Sequence, residues 1–530
     1  MNFTRQNKRV VLVFAFLVFY LTGIAQKKID FDSKFLFTTE ELGPDIKVLT
    51  DSVVFKHENS IMFCDSALFN YGENYFDAYG NIIIKKRTKD KDTVYMYGDS
   101  LHYYGKRKYA EVRNNVIVKK DSMILYTDSL DFDLNTNIGH YFESGLTLNG
   151  KDSIRSVFGY YYADENLLFY KKDVVVTNPK FKMYCDTLKH NTKTEVSYFL
   201  GPTDIVSDEN FIHCENGWYN HDKNISQFSK NALLKNKEHS LKGDTIFYDK
   251  NKGTGKAFGN VTFKDSVQNV ILTGHRSFYN EKTDFTFMTD SALFVQAGEG
   301  EDSLYMHADT LQSFKDSILE NDSYRVFRII QAFKHVKTYK TDFQSKCDSL
   351  VYELRDSTIR MYYDPVIWSD SNQLSADSII IRTYKSEVDM IEMYENAFII
   401  SKSDSIRFDQ IYGKEMYGYI DNKELYRIDV VSDGKSVYFI RDDKERLIGV
   451  NFIECVDMEI YMKDNKVDKV WFFEMPKGKI HPPNALNSQE TLLPNFKWDI
   501  DYRPFSKEEI FFWKKESVAV VPVPNDTITN

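Results

Sequence analysis

Proline is scarce in this chain, 11 residues in 530, while Tyr (35) and Phe (40) are abundant. That balance argues against disorder and favours strands over helices. Cysteine is scarcer still. Cys64, Cys185, Cys214, Cys347 and Cys455 form an odd, sparse set, which excludes a disulfide framework. Cys185 and Cys214 lie in successive repeats and could pair, but buried free thiols are the favoured reading. No Lys/Arg run stands out, and the net charge is −10, so no nucleic-acid partner is expected. Beyond the first 25 residues no stretch approaches the roughly 18 consecutive apolar residues of a membrane helix. Also missing are a His/Asp/Ser set, a metal-ligand spacing and a Gly-rich phosphate loop. An enzyme, a β-helix polysaccharide lyase for example, therefore has no support, and neither a cofactor nor a metal is implied.

The N-terminus is rich in targeting signals. Arg5, Lys8 and Arg9 precede an apolar segment from Val10 to Tyr20, followed by the small-x-small triplet Gly23-Ile24-Ala25. This pattern predicts a cleaved signal peptide over 1–25 and a mature chain starting at Gln26. Loss of three basic and no acidic residues would take the charge from −10 to −13. An uncleaved anchor is the alternative. No Cys follows the apolar segment, so a lipid anchor is not expected.

A repeat runs through the rest. Aligned on an acidic pivot, the copies read CDSALFNY (64–71), GDSLHYYG (98–105), TDSLDFDL (127–134), CDTLKHNT (185–192), CENGWYNH (214–221), GDTIFYDK (243–250), GHRSFYNE (274–281), ADTLQSFK (308–315), CDSLVYEL (347–354) and ADSIIIRT (376–383), with a degenerate VFGYYYAD at 157–164. The spacing is about 28–34 residues over most of the array and looser after 308, which indicates a stacked architecture. Each repeat has a second strand-like half, such as NYFDAYGNIIIKK (74–86) or GKAFGNVTFKD (255–265), joined by short polar turns. The chain should zigzag in antiparallel passes, about two per repeat.

The hydrophobic pattern changes parity at the pivot. Met62, Met96, Leu125, Met183, Leu241 and Met306 stand three residues before it, and Ala67, Leu101, Leu130, Leu188, Ile246, Leu311, Leu350 and Ile379 two residues after. Five positions is an odd interval, which cannot hold one face of a regular strand. One residue must be absorbed in a β-bulge that bends the pass and restores the inward face. The return passes carry Gly80-Asn81, Asn114-Asn115 and Gly259-Asn260, residue types that tolerate the φ/ψ of a bend. The aligned bends crease the sheet into a V-shaped trough with these columns inside, joined by Phe69, Tyr103 and Phe132. The acid column itself is read as structural, because Asp followed by Ser or Thr bonds backbone groups at bulges and because Glu215, His275 and Phe158 replace the acid in other copies.

The rhythm of Gly98-Asp99-Ser100-Leu101, Gly243-Asp244-Thr245-Ile246 with Gly259-Asn260-Val261, and Ala376-Asp377-Ser378 resembles the organic-solvent-tolerance (OstA-like) family of periplasmic lipopolysaccharide-transport proteins, over roughly residues 45–480. The resemblance implies an all-β, elongated V-shaped β-jellyroll of about 12–13 repeats: a signal peptide at 1–25, an N-terminal jellyroll at 26–307, a second stretch continuing the stack at 308–480, and a loop and short-helix tail at 481–530. A stretch within 308–347 looks like an insertion. By the same resemblance the partners are lipopolysaccharide or a related glycolipid, and other jellyroll proteins paired end to end through edge strands; the location is the periplasm. The inward columns would line a lipid groove, along which each sequestered methylene gains about 0.8 kcal/mol. A structural or scaffolding β-solenoid of the cell envelope with a filled core is the competing expectation.

Overall fold

A computed structural model describes residues 29–514, apart from 39, 58, 88–92, 268, 298–302, 321–322, 385–386, 422–423, 443, 464–465 and 484. The expected signal peptide lies outside the described residues. The fold is all-β, with 36 strands and three short 3-10 turns among the described residues. It divides into two compact units, Met1–Pro179 and Lys180–Asn530.

In the first unit, strands Ile46–His57, Ser60–Asn70, Tyr75–Arg87, Thr93–Tyr104, Tyr109–Lys120 and Met123–Asp133 pair antiparallel, each with its sequence neighbour. Every one of these ladders slips in its middle, between Thr50/Val53, Phe63/Ser66, Tyr79/Ile82, Tyr97/Ser100 and Arg113/Val116. The bulge inferred from the parity change is therefore present, and each pass has two arms. After residue 137 the passes break outright into separate strands: Ile138–Tyr141, Gly145–Asn149, Asp152–Ser156 and Phe158–Tyr162. The Tyr141 ring fills the crease so closely that a Cβ on Gly159 would stand 2.1 Å from it, and one on Gly145 2.5 Å.

The bends rest on pairs of residues in left-handed backbone. Gly80 and Asn81 have φ of 76° and 44°, Asn114 and Asn115 62° and 50°, Gly259 and Asn260 70° and 46°. The pivot acid of the neighbouring pass is held by the second member of the pair. Asn81 Nδ2 donates to Asp65 at 2.8 Å, Asn115 to Asp99 at 2.7 Å, Asn231 to Glu215 at 2.8 Å and Asn260 to Asp244 at 3.2 Å. The acid column is thus a ladder of bend anchors, and the partner it meets is a side-chain amide of the next pass, where the sequence suggests the local backbone.

The second unit repeats this plan, with slips such as Lys242/Thr245, Phe258/Val261, His307/Thr310 and Phe333/Val336. The segment expected as an insertion is built into the sheet as a longer hairpin, Leu304–Glu320 with Ser323–Lys340, paired out to Glu320↔Ser323. The tail after His481 contains two 3-10 turns, Ile500–Tyr502 and Glu509–Phe511. It lies as a strap against strands of the same unit. Gln410 Nε2 donates to Thr491 O (2.9 Å) and its Oε1 accepts from Leu493 N (2.8 Å); Gln373 does the same with Lys497 O (2.6 Å) and Asp499 N (2.8 Å).

Candidate functional site

Within the first unit the bulges place three cross-strand rows on one side of the sheet. Row one follows the register Leu49–Ala67–Ala78–Leu101–Val112–Leu130 along the crease. On one arm, row two runs Phe55–Met62–Ile84–Met96–Val118–Leu125–Thr147. On the other arm, row three runs Phe69–Phe76–Tyr103–Ala110–Phe132–Gly139. A slip of one residue would have turned either arm's row to the outer face.

The rows enclose two different interiors. At the N-terminal end, aromatic rings fill the space. Phe55 stacks on Phe76 at 4.0 Å between centroids, and Phe31, from the short strand Asp30–Asp32, meets Phe69 at 5.3 Å. Past this cluster the arms stand apart around a cavity of about 790 Å³, within the range of small-molecule sites. Its walls are rows two and three, with Leu130 beneath and Tyr141, Leu168 and Tyr170 at the far end. Its mouth lies at the arm tips and is polar. Lys86 Nζ donates to Asn137 Oδ1 (3.2 Å) and sits 4.0 Å above the Phe132 ring; Lys120 Nζ donates to Tyr161 Oη at 3.4 Å; the Tyr103 hydroxyl and His57 Nδ1 are 2.8 Å apart. The arrangement is an oily slot with a hydrogen-bonding rim. It suits an amphiphile whose chains go in and whose polar end stays at the edge.

Of the residues singled out from the sequence, Met62, Met96, Leu101, Tyr103, Leu125, Leu130 and Phe132 line this cavity. Ala67 and Phe69 are buried in the adjoining core, Phe69 as part of the aromatic cluster. In the second unit Leu311, Leu350 and Ile379 fall in a single row, Met288–Leu311–Ala332–Leu350–Met361–Ile379–Met393. Ile246 lies opposite Phe228 and Ala257, Leu188 opposite Phe199, Met183 opposite Ile205, and Met306 opposite Phe294. Of the second-unit residues singled out from the sequence, Met183, Leu188, Ile246, Met306, Leu311, Leu350 and Ile379 are buried and Leu241 is half-buried.

Sequence reasoning missed part of the lining. Ile84 and Val118 sit in return passes, where the alternation after the Gly-Asn or Asn-Asn pair could have revealed them. Phe55 and Phe76 needed the cross-strand register. Nothing in the sequence marked Tyr141 or Tyr170, because the repeat is degenerate there. Burial pushes the Tyr141 phenol up to about 12 and raises that of Tyr170, so both are neutral at physiological pH. The cysteines are free. Cys185 and Cys214 both pair with Thr203, one on each side, so they stand two strands apart, at roughly twice 4.8 Å. That is too far for a disulfide, and burial pushes both thiols up to about 12. No cluster of three or more His, Cys, Asp or Glu suited to a metal occurs among the described residues.

Residues 31–186, which carry the cavity, match the family described as OstA-like protein. Among solved structures the chain is similar to LptH from Pseudomonas aeruginosa, described as the LptA homologous periplasmic component of the conserved lipopolysaccharide transport device. The identity is 13% and the TM-score 0.20, and the match covers 22% of this chain and 81% of that one. No curated protein matches the chain.

Proposed function

We propose that this protein is a periplasmic carrier of lipopolysaccharide or a related glycolipid. The observation that carries the reading is the 790 Å³ slot between two apolar rows, closed by aromatic rings at one end and rimmed by Lys86, Arg87, Lys120 and Asn137. Acyl chains placed between the rows leave water, at about 0.8 kcal/mol for each methylene buried. No wall residue need recognise a particular carbon, so a chain can shift along the slot at little cost. The OstA-like match over the same residues supports this reading. The inward columns of the second unit, Met183, Leu188, Leu241, Ile246, Met306, Leu311, Leu350 and Ile379, are proposed as the lining of a groove of that unit's own.

Partner proteins of the same architecture would join by strand addition. Two edges suit this. Phe35–Phe37 pairs only with Ile46–His57 among the described residues, and Lys466–Phe473 only with Asp457–Lys463. Both carry exposed apolar side chains, Phe35, Leu36 and Phe37 on one and Trp471 and Phe473 on the other.

Photo-crosslinking in cells of a Gram-negative host tests the carrier reading. A photoreactive residue at Met96 or Leu130, facing the slot, should yield a lipopolysaccharide adduct. One at Tyr126, exposed on the opposite face of the same strand as Leu130, should not. Equal labelling at all three, or none at the inward two, would reject the carrier.

A further inference from the structure

The slot is apolar until its far end. Row two consists of Phe, Met, Ile, Val and Leu up to Leu125, and then the next residue in register is Thr147. Thr147 is 3% exposed and lines the cavity. Beside it, reaching over from the opposite arm, is Tyr170 of strand Leu167–Asn178, 2% exposed and also in the cavity wall. The third hydroxyl at this end is accounted for. The Tyr141 hydroxyl meets Ser156 Oγ at 2.7 Å, and Ser156 in turn donates to the Phe158 carbonyl at 2.8 Å. The Tyr170 hydroxyl, by contrast, has the Thr147 side chain beside it but makes no hydrogen bond of good geometry among the described residues. A buried hydroxyl without a well-formed bond is costly, and Tyr170 and Thr147 both line the cavity.

Resting on the carrier reading, we infer that Tyr170 and Thr147 form a hydrogen-bonding subsite for a neutral oxygen on an acyl chain, a hydroxyl or a carbonyl. The charge pattern sets the chemistry. The lysines and the arginine of the cavity wall, Lys86, Arg87 and Lys120, stand at the mouth and outnumber the one carboxylate of the lining, Asp164, so an anionic group has its attraction there. At the far end the neutral Tyr170, Thr147 and Tyr141 would leave a buried anion uncompensated. A neutral oxygen accepts from the Tyr170 phenol and, where it is a hydroxyl, donates to Thr147 Oγ1. The subsite thus selects chains that carry oxygen at a fixed depth and disfavours plain hydrocarbon.

The test uses the mature full-length chain and competition binding with palmitic acid, a positional series of hydroxypalmitic acids and the matching keto acids. One position in the series should bind about tenfold more tightly than palmitic acid, the worth of one well-placed hydrogen bond. Tyr170→Phe should erase that preference, so that the hydroxy and keto acids bind no more tightly than palmitic acid does to the same variant, and Thr147→Val should narrow the preference for the hydroxy acid more than for the keto acid. If every acid binds the native chain equally, an ordered water satisfies Tyr170 and the inference fails while the slot stands. If the preference survives in Tyr170→Phe, the inference also fails. If no acid binds at all, the carrier reading falls and takes this inference with it.

Discussion

Gly259 shows why particular residue types recur at the bends. Its φ is +70°, and a Cβ there would stand 2.2 Å from Asp244 Oδ2, the same carboxylate that Asn260 holds. Gly259→Ala should therefore destabilise the second unit by about 1–3 kcal/mol, through backbone strain and the clash together. On an Asp244→Ala background the carboxylate clash is gone and only the 2.9 Å approach to the Cβ at 244 remains beside the strain, so the same substitution should cost less there. Urea unfolding midpoints for the two single variants and the double variant measure the difference, and additivity would show that no clash exists. Asp409 carries a prediction about pH. Burial pushes its carboxyl up to about 6, although it accepts a hydrogen bond from the Phe439 amide at 2.8 Å. The folded state thus holds this proton more tightly than the unfolded chain, so stability falls as pH rises from about 4 to about 6 and that loss persists above. Asp409→Asn, which keeps an acceptor for the Phe439 amide, should be more stable than the native chain at pH 7 and should lose that advantage at pH 4 in thermal unfolding.

At the scale of elements, what was legible in the sequence is what repeats. The five-residue interval from Met62 to Ala67, or from Leu125 to Leu130, is a local fact, and it forces a bulge wherever both ends must face inward. The bend pairs Asn114-Asn115 and Gly259-Asn260 were legible for the same reason, whereas Lys172-Asp173 and Glu474-Met475 adopt the same positive φ with no residue-type signal. The strap over 482–514 was not legible, because its contacts are long-range and occur once. Gln344, Gln373 and Gln410 look like ordinary surface residues of strands. Each nevertheless binds the strap, Gln344 through the Arg503 guanidinium at 2.7 and 2.9 Å. Between them Lys346, 2% exposed, contacts Asp364 at 2.6 Å and Asp499 at 3.5 Å and lies over the Tyr502 ring at 4.9 Å. It stands on the face opposite Cys347, so the strap covers the outer side of this arm. Asp499→Ala removes a carboxylate from a buried cation and should cost about 1–3 kcal/mol. Ending the chain at His481 should go further and open Lys346 to acylation by an amine-reactive reagent, read by peptide mass spectrometry. Continued protection of Lys346 in that truncated chain would mean that the strap is not what covers it.

For the molecule as a whole, the question is what drives binding when an acidic protein is to carry an acidic amphiphile. With a net charge of −10 the long-range field opposes the approach of such a ligand, and Lys86, Arg87 and Lys120 at the mouth offset it only locally. Exposed charges of this kind are screened within about 10 Å at 0.1 M salt, and each is worth little in water. The buried surface between rows two and three has no such weakness. Removing two methylenes from every bound chain should cost about 1.6 kcal/mol per chain, which is about fifteenfold in affinity for a single-chain ligand. Raising salt from 0.05 to 1 M should change the same affinity by about threefold or less if the mouth cations contribute only a surface-type term. The comparison needs only fatty acids of graded length and one salt series on the mature chain. A steep salt dependence with a flat response to chain length would place the affinity at the rim and leave the apolar slot without its proposed role. The opposite pattern is what a carrier requires, because a ligand held mainly by apolar contact is retained in water at any ionic strength.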